Sequence, residues 1–200
     1  NTSFLSNYNI KKIIISSVVP SLTNEIQEFC IKKFNLNPFI IKYNNVSNLK
    51  MEIDNPSQLG TDRICNIIAA KSLYKLPAII IDMGTATKYD VINRNGVFIG
   101  GVISPGIKLS LNTLSDKASL IPKINLKKMS KIIGRDTKSA VRSGFFWGYA
   151  GLIDNVINLI KKETKKSFDV VITGGFSKLY KNSIKTKVKQ DFDITINGLI

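Results

Sequence analysis

Histidine is absent from these 200 residues. That excludes Ser-His-Asp triads and imidazole metal sites, and it leaves carboxylate, lysine, tyrosine or cysteine for any general base. Cysteine is scarce, with Cys30 and Cys65 the two present. Such usage fits a reduced, cytoplasmic setting rather than a disulfide scaffold. No apolar run approaches the roughly 20 residues of a membrane span, and the start, NTSFLSNYNIKK, lacks a signal-peptide layout. Acidic residues are few: 14 against 29 Lys and Arg, a net charge of +15. That balance raises nucleic acid as a partner. Yet arginine, which forks onto bases and phosphates, is limited to Arg63, Arg94, Arg135 and Arg142. The lysines come as dispersed pairs such as Lys11-Lys12 and Lys161-Lys162, not as one stripe. Nucleic-acid binding is therefore disfavoured, and a mild steering of anionic substrates remains.

At 44% hydrophobic and 22% charged, the chain has enough apolar side chains for a real core, in one large domain or two small ones. Its organising stretch is Ala78–Gly106. The apolar run Ala78–Ile81 ends at Asp82, followed by Gly84 and the hydroxyls of Thr85 and Thr87. A β-rich run, Tyr89–Ile92, leads to the turn Asn93-Arg94-Asn95-Gly96, and a third run, Val97–Ile103, ends at Ser104-Pro105-Gly106. The pattern predicts three consecutive antiparallel strands. An Asp-x-Gly-Thr turn suits a phosphate, because glycine permits close backbone approach, N–H groups and hydroxyls donate, and the aspartate holds a cation. The same residues also make ordinary hairpin turns.

Upstream, Lys12–Ser17 reads as a buried strand and Pro20 opens a helix over Ser21–Phe34, with Ile26, Phe29 and Cys30 on one side. Phe39–Lys42 is a short strand and Asn44–Asp54 is polar and irregular. Pro56 begins a helix running to about Tyr74, and a domain boundary falls at Pro77. Downstream, Gly106–Leu114 is a helix, Ser115–Met129 mostly loop, and a long helix runs to about Glu163. Within it Gly144, Gly148 and Gly151 share one face. Each costs roughly 1 kcal/mol against alanine, so the face either packs tightly within the chain or forms a subunit interface. Phe168–Ile172 is a strand leading into Gly174-Gly175, a turn or a flat seat for a base or ribose. Gly60-Thr61-Asp62-Arg63 lies within a predicted helix. Asp62 and Arg63, being adjacent, face different directions. They are either surface charges, or a general base and a clamp for an anionic substrate.

Together these segments resemble one family. NPSQLGTDR (Asn55–Arg63), IDMGTAT (Ile81–Thr87), GGVISPGI (Gly100–Ile107), IGRDT (Ile133–Thr137), SGFFWGYAGLID (Ser143–Asp154) and VITGG (Val171–Gly175) stand in the order and spacing of type III pantothenate kinases. SSVVPSLT (Ser16–Thr23) and DITINGL (Asp193–Leu199) extend the match to both ends. The resemblance implies an α/β fold of two actin-like, ribonuclease H-like domains, with mixed sheets flanked by helices. Residues 1–77 would be the remainder of the first domain, with the pantothenate-site helix, and 78–200 the second. It implies ATP-dependent phosphorylation of pantothenate, the first step toward coenzyme A, with Mg²⁺, a monovalent cation (K⁺ or NH₄⁺), and a homodimer. By matching position, Asp62 would accept the proton of the pantothenate hydroxyl. Ile53, Gly60, Thr61, Asp62, Arg63 and Thr137 would bind pantothenate, Thr137 from across the dimer. Gly84, Thr85, Gly174 and Gly175 would bind ATP, and Asp82 would ligate the monovalent cation.

This sequence departs from the family pattern at several places. Ile53 stands where an aromatic is usual, and Lys88 and Asp136 replace the commoner threonine and asparagine. The family's first strand carries an Asp-x-Gly-Asn-Thr phosphate loop well upstream of SSVVP, and Asn1-Thr2 lies too close to SSVVP to be that motif. The expectation is a first domain that is incomplete as given, with negligible turnover unless an upstream segment is added. The alternative function is a non-catalytic relative acting as a binding or accessory regulatory protein.

Overall fold

The computed structural model describes residues 9–47 and 49–200; the Asn1-Thr2 expectation lies outside the described residues. Ala78–Met83 (β4), Ala86–Ile92 (β5) and Val97–Pro105 (β6) form the expected antiparallel meander. The Asn93–Gly96 turn is closed by the Asn93 side chain, whose Oδ1 accepts from the N–H groups of Asn95 and Val97. Asp169–Thr173 (β7) lies parallel to β4, and Lys189–Gln190 (β8) parallel to β7. The segment expected to be irregular contributes Lys50–Met51 (β3), parallel to β6. Glu52 N–H, just beyond it, donates to Phe98 O at 2.8 Å. The result is a six-stranded mixed sheet ordered β3-β6-β5-β4-β7-β8. The strand expected over Lys12–Ser17 is confined to Ile14–Ile15 (β1), which pairs parallel with Phe39–Ile40 (β2) in a small separate sheet.

Helices cover both faces of the large sheet. Helix α4 (Thr137–Thr164) is capped by Asp136, whose carboxylate accepts from Ser139 N–H at 2.9 Å while Ser139 Oγ reaches back. It buries Phe146, Ala150, Ile153, Ile157 and Ile160 at alternating three- and four-residue steps. These pack on Ile79, Ile81, Met83, Tyr89 and Val91, the odd-numbered positions of β4 and β5. Ala78, Ile80 and Ile92, the even-numbered positions, meet α2 (Thr61–Leu73) and α6 (Ile194–Asn197) on the other face. Period-two alternation thus sends one strand's side chains into two cores. The two helices are tied by a hydrogen bond from Thr195 Oγ1 to Asn66 Oδ1 at 2.7 Å. Helix α3 (Ile107–Lys117) follows β6 directly, and a short helix, α5 (Ser177–Tyr180), follows β7.

Three helix expectations are corrected. Pro56 opens only a short 3₁₀ turn, Pro56–Gln58. Gly60, in an extended conformation, then restarts the chain as the cap of α2, so Gly60–Arg63 is a helix N-terminus, not a helix interior. In α1 (Pro20–Phe34), Cys30 and Thr23 are buried while Ile26 and Phe29 stay exposed. Finally, Gly144, Gly148 and Gly151 are exposed, and a Cβ at any of them would meet nothing within 4 Å. Tight packing within the chain is therefore not their role. Among the described residues, no helix is long and apolar enough to cross a membrane.

Candidate active site

Parallel strands β4 and β7 run side by side with Asp82 opposite Thr173, so both end at the same edge of the sheet. The carboxyl ends of such strands are where α/β folds bind ligands. The chain leaves β4 through Gly84-Thr85 and leaves β7 through Gly174-Gly175. Gly174 has φ +86° and presses on its neighbour: a Cβ there would stand 2.7 Å from the Met83 backbone and 2.8 Å from Asp82 Oδ1. Only glycine lets the two turns approach so closely. Between them opens a cavity of about 310 Å³ lined by Gly84, Thr85, Gly175 and Phe176, with Lys108 and Asn112 from α3. Gly106, the cap of α3, donates its N–H to Thr85 O at 3.1 Å, which brings that helix start beside the turn.

Asp82 and Lys88 are direct cross-strand partners on β4 and β5. They lie on the sheet face covered by α2, whose first turn places Asp62 above them. Lys88 Nζ sits 2.8 Å from Asp82 Oδ2 and 2.5 Å from Asp62 Oδ2. Asp62 Oδ1 accepts from the N–H of Arg63 at 2.8 Å. A Cβ on Gly60 would stand 2.6 Å from that Oδ1, so glycine is what leaves room for the carboxylate. Burial alone lowers the Lys88 pKa, but hydrogen bonds to and charges on Asp62 and Asp82 outweigh it and the net shift is upward. The side chain is therefore an ammonium at any physiological pH.

Arg63 turns to different partners. Its Nε and Nη2 donate to Asp90 Oδ1 at 2.7 and 2.6 Å, and its guanidinium lies over the Phe98 ring, 5.4 Å from the centroid. Asp90 is fully buried, and its Oδ2 has no partner among the described residues. Burial pushes the Asp90 pKa up to about 6 despite the pull of Arg63. Arg63 lines a cavity of about 390 Å³ with Ile53, Asn55, Phe98, Gly101 and Ile103.

The residues matched to pantothenate binding are thus divided. Ile53 and Arg63 share that cavity. Gly60 and Thr61 line another, of about 580 Å³, against Ser17, Val18 and Pro20. The Thr61 hydroxyl is already engaged, accepting from Ser16 Oγ and donating to Ser17 O. Thr137 is exposed in the first turn of α4 and lines none of these cavities. The residues matched to ATP binding come together: Gly84, Thr85 and Gly175 line one cavity and Gly174 supports it. Sequence inspection overlooked Asp90, Lys108, Asn112 and Phe176. Asp90 was within reach, since it lies two residues from Lys88 and so shares its face of β5.

Comparison with known proteins identifies the family. The family model for type III pantothenate kinase matches residues 2–159. The chain is 54% identical to the type III pantothenate kinase of Pelagibacter ubique (strain HTCC1062) over 98% of its own length and 78% of the relative's. It is 38% identical to that of Paramagnetospirillum magneticum (strain ATCC 700264 / AMB-1), over 98% and 76% of the two chains. Among solved structures, one from Campylobacter jejuni described as a Baf family transcriptional activator superposes with a TM-score of 0.63 at 20% identity. It covers 99% of this chain and 84% of that one, a likeness of fold. By its sequence, the chain belongs to the type III pantothenate kinase family.

Proposed function

We propose that this protein transfers the γ-phosphoryl group of ATP to the hydroxyl of pantothenate, giving 4'-phosphopantothenate, the first step of coenzyme A biosynthesis. Membership of the family makes it a kinase, a transferase acting on an alcohol group. The observation that carries the residue assignment is the meeting of Asp62, at the start of α2, with the strand-end aspartate Asp82 through one lysine. Phosphoryl transfer asks mainly for positioning and charge neutralisation, with a base to receive the hydroxyl proton. Asp62 suits that role. Each of its oxygens accepts one hydrogen bond in the resting site, which leaves lone pairs for a substrate hydroxyl.

The cavity beside Arg63 takes pantothenate, whose carboxylate pairs with the guanidinium. Phe98 and Asp90 fix that guanidinium's plane, and Ile53 offers an apolar wall. ATP lies across the Gly84-Thr85 and Gly174-Gly175 turns, its phosphates on the backbone N–H groups and the Thr85 hydroxyl. No cluster of three or more His, Cys, Asp or Glu among the described residues is placed to hold a metal ion. Mg²⁺ would arrive with the ATP phosphates and neutralise part of their charge. Residues 1–77 and 78–200 would approximate the two actin-like units, with β3 lent to the second unit's sheet, and the carboxylates meet where α2 lies on β4 and β5. A homodimer would use the open glycine face of α4 and bring Thr137 to the partner's pantothenate.

The test is pantothenate-dependent ADP release by the native protein, with product identified by mass. Turnover that needs both substrates supports the assignment. ATP binding without any pantothenate-dependent turnover would favour the non-catalytic binding role instead.

A further inference from the structure

We propose that the Lys88 ammonium is the built-in monovalent cation of this active site, seated between Asp62 and Asp82 and making K⁺ or NH₄⁺ unnecessary. The mechanistic part of this inference rests on the kinase assignment; the occupancy part does not. An aspartate on β4 and another at the start of α2 converge at the edge of the Gly84-Thr85 turn, where a positive charge between them keeps both ionised. Lys88 supplies it. Its Cα is fixed opposite Asp82 by the antiparallel register, and its Nζ contacts Oδ2 of both aspartates at 2.8 and 2.5 Å. The stem is largely enclosed, with 17% of the side chain exposed, so the head is held in place and does not sweep through solvent.

The residues present do not fit an additional free cation. A K⁺ or NH₄⁺ ligated by Asp82 and near enough to serve Asp62 would have to stand where Nζ stands, or beside it as a like charge. Asp82 Oδ1, the remaining oxygen, faces the Gly174 turn, 2.8 Å from where a Cβ would stand, and an ion on it would share its carboxylate with the Lys88 ammonium already on Oδ2. The expected role of Asp82 as ligand to a monovalent ion is thereby replaced by an ion pair within the chain. A tethered ammonium has three donors. Two are used in the resting site, and the third is free to meet a phosphate oxygen or the substrate hydroxyl. Because the charge is covalently attached, binding it carries no translational entropy cost and no dependence on ionic composition. Lys88 is in this sense a positioning residue for Asp62.

The test compares choline chloride, KCl and NH₄Cl at equal ionic strength, using the native protein and Lys88→Thr. For the native protein the melting temperature without substrates and the turnover with ATP and pantothenate should be the same in all three salts. Thallium NMR, with Tl⁺ as the K⁺ probe, should show no bound ion. Lys88→Thr should gain a bound Tl⁺ signal and a melting temperature that rises with K⁺. Its turnover should fall about a hundredfold in choline, the scale for removing one preorganised charge, and recover in KCl or NH₄Cl. Lys88→Arg should keep the insensitivity to salt. Native protein that binds Tl⁺, or that melts higher and works faster in KCl than in choline, overturns the proposal even if Lys88→Thr fails to fold. A folded Lys88→Thr that is equally active in choline and KCl overturns it too. If the native protein shows no pantothenate-dependent turnover, the kinase assignment fails while the thallium and melting measurements still decide the occupancy of the site.

Discussion

The two faces of β4 and β5 differ sharply although they alternate along the same few residues. Toward α4 the strands present Ile79, Ile81, Met83, Tyr89 and Val91, all buried. Toward α2 they begin in the same way, with Ala78, Ile80 and Ile92, but end in Asp82, Lys88 and Asp90. The first face is held by apolar area and close packing, with Phe146 stacked on Tyr180 at 5.5 Å between ring centroids. The second gives up part of that area to charges that satisfy one another across three elements: Lys88 with Asp62 and Asp82, and Arg63 with Asp90. Buried ion pairs contribute little net stability because desolvation offsets their attraction. Their presence makes the α2 side the candidate site.

The comparison can be broken by substitutions that act on one face and spare the other. The largest effect is expected for Asp62→Asn, which keeps the volume and removes the base. Turnover should fall about 10²- to 10⁴-fold with the ATP dissociation constant unchanged, as read from steady-state kinetics and a nucleotide titration. Wild-type kcat would exclude Asp62 as the base. On the opposite face, Phe146→Ala should lower unfolding free energy by roughly 3–5 kcal/mol in urea, while kcat per folded molecule stays near wild type. A stable variant with lost turnover would mean that the two faces are not separable.

Asp90 offers a smaller, pH-dependent effect. Its pKa, about 6 in the fold, lies above the ordinary 3.8. The folded chain therefore holds this proton more firmly than the unfolded one. The group's contribution to stability decreases as pH rises from about 3.8 to about 6, and is level above that. Below about 6 the neutral Asp90 no longer pairs with Arg63, so KM for pantothenate should rise several-fold as pH falls through that value, with the ATP KM unaffected. A pantothenate KM flat across this range would show that Asp90 does not hold Arg63 for substrate. The smallest effect on the folded chain is expected at Gly148, on the solvent side of α4. Gly148→Leu has open space to occupy and should raise stability by up to about 1 kcal/mol, the helix-propensity gain over glycine. If the chain dimerises through this face as proposed, the variant should sediment as a folded monomer; a dimer that persists excludes this face.

Much of this was legible along the chain. Runs of β-branched residues broken by Asn-Gly and Asp-x-Gly turns sufficed for the β4–β6 meander, because hairpin pairing is local and its register follows from turn length. Pro20 marked the start of α1 in the same way. The short strands were not legible. Lys50–Met51 and Lys189–Gln190 have only two residues each, and they are strands because an edge of the sheet was available to them. The α2 boundary was misplaced for a similar reason, since Pro56 is a good helix opener, and the restart at Gly60 depends on the close approach to the Asp62 carboxylate.

At the site, residue order alone determined the candidates: Asp62, Arg63, Asp82, the glycines at the strand ends, and Lys88 as an unusual charge. Spacing along a strand also determined that Lys88 and Asp90 share a face. Only the tertiary structure decided that Asp62, on a helix 26 residues away from Lys88 in the chain, completes that pair with Asp82. Only it decided that Arg63 takes Asp90 instead, and that Thr61 and Thr137 stand apart from the Arg63 cavity. Turn and strand geometry propagate over a few residues, whereas the placement of α2 on the sheet is set by burial of Ile64, Ile67 and Ala70 against Ile80, Ile92 and Phe98. That packing free energy is summed over distant segments and has no local signature.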